Sequence, residues 1–347
     1  MKLAVASKCG ACGGQVRSRA LRREGPGRSA SRWSRGTRGH GTQYSGECGT
    51  ALRAQGLQVG DVERTRLVPA PPKTGGGFGA KGRSYVERFD VQGCETIPGS
   101  ASGQVISPIV VTKIVESLAI GHFQTLSGDT SDVPRSKEMK DLDLTFMLSR
   151  ITFSFCDLPA RGDAVEAETC FKPQKVSFKR DFAVRNKTSG KLAAAATSTY
   201  VLVNVKTRKL FIAPKEMIDL YKDTSTKDTS AQLGVPNLPK KSKLGSFTSE
   251  EAKLSSSFVV EQSDIDLNGH VGASVYIHWI LDSAVEEGVR LDAISTLDIE
   301  YKEECFLGEN IECYTQTTTG EDGGREINHL VQTQEGKILL RAKSLWH

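Results

Sequence analysis

Four landmarks in this chain recur at one fixed spacing. Gly162 and Gly308, Val165-Glu166 and Ile311-Glu312, Gly190-Lys191 and Gly336-Lys337, and Tyr200 and Trp346 are each 146 residues apart. A constant offset shared by unlike residue types predicts two copies of one structural unit. Any fold assigned to one half must therefore suit the other.

The flanking patterns describe that unit. Ser107-Pro108 is an N-cap followed by a residue suited to a first helical turn. Ile109, Val110, Lys113, Ile114, Ser117 and Leu118 then recur at helical spacing until Gly128-Asp129 and Pro134. Over 141–158 the pattern changes to alternation. Leu142, Leu144, Phe146 and Leu148 share one face, and Ile151, Phe153 and Phe155 continue it after a one-residue slip, which predicts a β-bulge. Val176, Phe178, Phe182 and Val184 alternate next. Asn186–Lys191 reads as a hairpin turn and 192–205 as a long strand. The second copy offers a short strand at 258–262 and an apolar helix over 271–287 closed by Gly288. Strands follow around 297–301, 311–319, 327–334 and 338–345. Strand, long helix, then antiparallel strands predicts an α+β fold with a sheet wrapped around each helix. The expected units are 84–212 and 255–347. The Lys-, Ser-, Thr- and Pro-rich stretch 213–254 reads as a linker.

Charge separates a further segment. The chain has 347 residues and a formal net charge of +5, but residues 1–83 hold 16 Lys+Arg against 4 Asp+Glu. Residues 84–347 hold 30 against 37, so the body is acidic, at −7. Half of the 34 glycines also lie in 1–83. The Arg- and Ser-rich run 17–38 has the composition of an organelle transit peptide, so 1–83 is expected to be an unfolded leader. The same split removes the suggestion of a nucleic-acid partner. Two motifs in the leader lack the context they need. Gly77-Phe78-Gly79-Ala80-Lys81-Gly82 follows a Pro- and Gly-rich run rather than a strand. Cys9-x-x-Cys12, with Cys48 and His40, lacks a complete ligand set at metal-binding spacing. No stretch reads as a membrane span, and eight Cys are too sparse for a disulfide framework.

The densest polar cluster of the body is Asp264-Ile265-Asp266-Leu267-Asn268-Gly269-His270, just before the second helix. Unpaired N–H groups and a positive dipole end make a helix start suited to an oxyanion, as acyl transfer requires. Asp266, Asn268 and His270, two apart, would present three polar tips on one side of an extended segment. Glu303-Glu304-Cys305 interrupts the strand after Tyr301 and offers an acid and a thiol. Set against this, Asx residues before a helix are commonly caps and turn formers. Neither a metal set nor a cofactor motif is visible. His122 and His278 read as packing or surface residues of the helices, and His329 and His347 carry no motif.

Residues 264–283, DIDLNGHVGASVYIHWILDS, and 299–305, IEYKEEC, resemble plant-type acyl–acyl carrier protein thioesterases. The resemblance covers about 84–347 and is weaker in the first unit, where RGDAVEAE (161–168) and KRDF (179–182) carry it. It implies tandem hotdog domains, a plastid location, no cofactor, and hydrolysis of fatty acyl-carrier thioesters. The family's D-x-N-x-H falls on Asp266, Asn268 and His270, and its Glu-Cys pair on Glu304 and Cys305. The roles stay open at this point. Glu304 or Asp266 activates water or attacks, His270 is the acid–base partner, and Asn268 orients water or the carbonyl. Cys305 is either a nucleophile or a support for Glu304. Backbone N–H groups near Val271–Gly272 would polarise the carbonyl. Gly272-Ala273 and Phe306-Leu307-Gly308 depart from the family pattern. An acidic carrier would dock on a local basic patch, with Lys172, Lys175, Lys179, Arg180, Lys240, Lys241 and Lys243 as candidates. A homodimer is compatible with this reading. An acyl-CoA hotdog thioesterase and a non-catalytic acyl-binding module are the rivals.

Overall fold

The computed structural model describes residues 73–347, apart from 80–83, 92–95, 98–99, 101–103, 220, 222–224 and 321–322. All of them belong to one compact unit, 63–347. The Arg-rich run and the Cys9, Cys12, Cys48 and His40 readings lie outside the described residues.

The chain runs β1 (Lys73–Phe78), β2 (Tyr85–Asp90), α1 (Pro108–Ser127), α2 (Lys137–Asp141), β3 (Leu144–Phe155), β4 (Ala164–Pro173), β5 (Phe178–Asn186), β6 (Leu192–Asn204) and β7 (Leu210–Phe211). Two short helices, α3 (Lys215–Asp219) and α4 (Thr229–Leu233), lead to the second copy. That copy comprises β8 (Lys253–Val259), α5 (Ala273–Val285), β9 (Ile294–Tyr301), β10 (Asn310–Thr319), β11 (Arg325–Thr333) and β12 (Ile338–Trp346). The repeat is therefore real in structure. β2-α1-β3-β4-β5-β6 answers to β8-α5-β9-β10-β11-β12, and the turn glycines Gly162 and Gly308, like Gly190 and Gly336, all have positive φ.

The two copies share one antiparallel sheet, in the order β1-β2-β4-β5-β6-β3-β9-β12-β11-β10-β8 with β7 on β6. β3 and β9 meet at its centre, with Ile151 opposite Ile299 and Thr152 opposite Asp298. Inward residues of both copies and of both long helices form the main core, which includes Leu118, Phe153, Phe182, Ile280 and Leu297. It runs through both hotdogs, while two smaller clusters lie in the first unit and the segment after it.

Local rules account for α1. The Ser107 side chain accepts from the Ile109 N–H at 3.4 Å, Pro108 occupies the first turn, and Gly128 closes the helix at φ 70°. At 20 residues α1 is long and apolar enough to cross a membrane, contrary to the sequence reading. Here its apolar residues pack instead against β2, β4 and α5. The expected bulge in β3 sits between Leu148 and Arg150.

Two boundaries move. Lys73–Phe78, placed in the leader by composition, is a strand paired with β2. Gly76 serves close approach, since a Cβ there would meet Glu87 Cγ at 2.8 Å. Gly77 and Phe78 are therefore strand residues, not a phosphate loop. The stretch 213–254 is not a free linker either. It carries α3, α4 and the start of β8, and it buries Met217, Tyr221, Leu233, Val235 and Phe247. Its centre is bolted to the sheet where the copies join. Asp298 accepts from the Ser242 N–H (2.6 Å) and hydroxyl (2.8 Å), and from Arg150 Nε (2.9 Å) and Nη2 (2.7 Å).

Candidate active site

The second unit delivers Asp266, Asn268 and His270 on the connection between β8 and α5. That connection is a tight turn, not the extended segment expected. Asp266 Oδ1 accepts from the Asn268 N–H at 2.7 Å, and Asp266 Oδ2 from Asn268 Nδ2 at 3.1 Å. The Asp266 N–H donates to the His270 carbonyl (2.9 Å), and Gly269 supplies the φ of 81° that closes the turn. Asp266 and Asn268 therefore bind each other, and Leu267 between them is exposed.

A second tie brings the Glu-Cys segment beside this turn. The Val271 N–H donates to the Cys305 carbonyl at 2.9 Å. The His270 ring then stands between two carboxylates. Its Nδ1 lies 3.8 Å from Asp266 Oδ1, and its Nε2 lies 3.6 Å from Glu304 Oε1. His270 and Glu304 are both about three-quarters buried, so water reaches them from one side.

Cys305 behaves differently. It is fully buried within the core, and burial together with the neighbouring Glu309 carboxylate pushes its thiol up to about 12. Among the described residues no hydrogen bond joins its thiol to His270. A thiol so raised is a poor nucleophile.

The oxyanion donors expected at Val271 and Gly272 are already occupied. Val271 donates to Cys305, and the Gly272 N–H donates to the Asp264 carbonyl at 3.1 Å. Gly272 is the N-cap of α5 and makes no side-chain cap bond. The first-turn N–H groups of Ala273 and Ser274 have no intrahelical acceptor.

Three contributors escaped the sequence reading, and all come from the first unit. Lys113 of α1 donates through Nζ to Ser274 Oγ at the start of α5. Glu116 follows one turn later, 3.9 Å from Lys113. Arg208, in the turn between β6 and β7, pairs with Glu304 through its guanidinium. Polar Lys113 inside an apolar helical stripe was the one visible signal.

Among the proposed docking residues, Arg180 is corrected. It shares the inward face of β5 with Phe178, Phe182 and Val184, and is buried. Its Nη1 meets His122 Nδ1 at 2.7 Å and its guanidinium lies over Phe171. Lys172 and Lys179 are engaged, with the Lys227 carbonyl (2.9 Å) and Asp181 (3.0 Å) respectively. Lys175, Lys240, Lys241 and Lys243 are exposed. Among the described residues no group of His, Cys, Asp and Glu is arranged to hold a metal ion.

Both units match one family. Residues 104–221 match the acyl-ACP thioesterase N-terminal domain, and residues 247–347 match the acyl-ACP thioesterase C-terminal domain. The chain belongs to the acyl-ACP thioesterase family. Two relatives indicate the breadth of that family. An oleoyl-acyl carrier protein thioesterase of Arabidopsis thaliana, described as chloroplastic, is 25% identical over 281 residues, 76% of each chain. A chloroplastic dodecanoyl-[acyl-carrier-protein] hydrolase of Cinnamomum camphora is 26% identical, over 78% of this chain and 69% of its own. Among solved structures, the 12:0-ACP thioesterase of Umbellularia californica superposes with a TM-score of 0.66 at 23% identity. The match covers 78% of this chain and 96% of that one. The tandem hotdog architecture of acyl-ACP thioesterases is thus the fold of this chain, with the D-x-N-x-H turn in the second unit.

Proposed function

We propose that this chain hydrolyses fatty acyl–acyl carrier protein thioesters to free fatty acid and carrier. The observation that carries the reading is His270 held between Asp266 and Glu304 at the N-terminus of α5, in a chain whose two units both match this family. The thioester carbonyl lies over the first turn of α5, where the Ala273 and Ser274 N–H groups and the helix dipole favour the developing oxyanion. Glu304 and His270 take the proton from the attacking water. The hydroxyl adds to the carbonyl carbon, the carbon–sulfur bond breaks, and the carrier thiolate leaves with the proton returned through His270. Asp266 and Asn268 hold the turn that aims His270. Cys305 positions the neighbouring Glu304 and does not attack. The reaction balances with water alone and needs no cofactor.

The plastid is the compartment this reading favours. Its supports are the chloroplastic relatives and the basic, Arg- and Ser-rich composition of 1–83. The partner is the acidic acyl carrier protein, with exposed Lys175, Lys240, Lys241 and Lys243 as docking candidates.

Purified Glu304→Ala and His270→Ala proteins should stay folded by circular dichroism and lose turnover by roughly 100-fold or more on acyl-carrier substrate. Rates near wild type in both would overturn the site. Parallel assays on acyl-CoA test the carrier preference. The fatty acids released from a mixed acyl-carrier pool report the chain length accepted.

A further inference from the structure

The catalytic groups of the second unit are completed by a residue of the first. Glu304 lies in the coil after β9. The backbone before it is fastened by Lys302 N–H (2.8 Å) and Glu303 N–H (3.3 Å), both donating to the Leu339 carbonyl. The backbone after it is fastened through the Cys305 carbonyl. Its side chain has two charged neighbours among the described residues: His270 on one side and Arg208 on the other.

The way Arg208 is presented is a second, independent observation. Among the described residues only Asp143 (φ 53°) and Arg208 (φ 57°) are non-glycine residues in the left-handed region. Such backbone persists only where its surroundings over-determine it. Both residues belong to one corner. The Val205 N–H donates to the Asp143 carbonyl at 2.8 Å, and Lys206 pairs with the Asp143 carboxylate at 2.6 Å. Asn204 frames the turn from within. Its Oδ1 accepts from the N–H groups of Lys206 (3.1 Å) and Thr207 (2.9 Å), and its carbonyl accepts from Arg208 N–H (2.8 Å). The corner thus holds two unfavourable backbone conformations, and one of them aims a guanidinium at Glu304. An Arg fork suits this task, because it can hold a carboxylate in one plane.

We propose that Arg208 is a positioning residue for Glu304, so that the second unit's site is complete only when the first unit's β6–β7 corner is in place. This rests on the thioesterase reading above. Arg208 holds the Glu304 carboxylate so that its other oxygen faces His270. Without Arg208 the carboxylate rotates freely and the water is activated less often.

The test uses the full chain with Arg208→Ala, Arg208→Lys, Glu304→Ala and the double variant Arg208→Ala/Glu304→Ala. On acyl-carrier substrate, Arg208→Ala should lower kcat roughly 10- to 100-fold, the scale of a misplaced catalytic group, with KM within about twofold. Arg208→Lys should recover most of kcat, which loss of a merely structural turn residue would not allow. Thermal unfolding of the four proteins reads the pair without substrate, and the shifts of the two single variants should fail to add. A raised KM with unchanged kcat would overturn the proposal and make Arg208 a carrier-docking residue. Additive unfolding shifts would overturn it by showing that the pair is not formed. A wild-type protein that hydrolyses no acyl-carrier thioester would defeat the functional reading instead, while the unfolding cycle still decides whether Arg208 and Glu304 are coupled.

Discussion

His270 stands between two carboxylates that are chemically alike and held by different means. Asp266 spends both oxygens on Asn268 and so shapes the turn. Glu304 keeps one oxygen towards the imidazole. On the proposed reading Asp266 is the structural acid, and Glu304 is the one that serves the chemistry. Gly269 belongs to the same turn. With φ at 81°, Gly269→Ala should cost about 1–2 kcal/mol and move His270, seen as a lowered melting temperature together with a lowered kcat. Cys305 provides a sharper test of mechanism. Its buried, strongly raised thiol predicts that Cys305→Ser keeps kcat within about tenfold of wild type. A loss as complete as that of His270→Ala would reinstate a thiol nucleophile. The turn residues were legible because Asp266, Asn268 and His270 lie within five positions of one another. Arg208 was not, since nearly a hundred residues separate it from Glu304 and only the folded corner joins them.

At the scale of elements, regular periodicity was legible and irregular packing was not. The cap of α1, the bulge of β3 and the Asn186–Lys191 turn all follow from local rules. The segment 213–254 failed for the converse reason. Its buried residues are spaced without a period, and its central contact is made by a serine. Asp298 shows how much depends on that contact. Burial raises its carboxyl, but the hydrogen bonds from Arg150 and Ser242 outweigh burial and hold it below the usual range. Asp298→Ala would take the carboxylate from Arg150, leaving it the Ser242 carbonyl, and would free the Ser242 and Thr152 hydroxyls. We expect a loss of about 3 kcal/mol in urea unfolding, the scale of a broken buried pair. The same variant should loosen the stretch around Ser242, so proteolysis between 235 and 247 should accelerate. An unchanged cleavage rate would show that this stretch is held elsewhere.

At the scale of the molecule, one sheet and a main core shared by both units join them into one body. Two histidines inside it weaken it in acid. Burial, with the Arg180 charge added, pushes His122 down to about 2, and burial pushes His329 down to about 3. Both are neutral when folded and take up protons more readily when unfolded. Their contribution is complete above about pH 6.5, the ordinary histidine value, and is lost as pH falls towards 3 and below. Each steepens the loss by up to about 1.4 kcal/mol per pH unit. Urea unfolding at pH 7, 6 and 5 should show this slope. His329→Asn, which keeps a polar partner for Ser344 and does not titrate there, should flatten it. An unchanged slope would remove His329 from the account.

The sequence by itself determined the repeat, the two long helices and most strands, the α+β class and the polar cluster before α5. Those properties are written in neighbouring residues, through side-chain period, caps and turn glycines. Tertiary structure alone decided that β3 and β9 fuse the repeats into one sheet, that residues 73–78 join it, and that Arg180 faces inward while Cys305 is sealed in the core. It also decided which groups meet at His270. Those facts depend on packing between segments far apart in the chain, where burial and charge pairing, not local pattern, set the outcome.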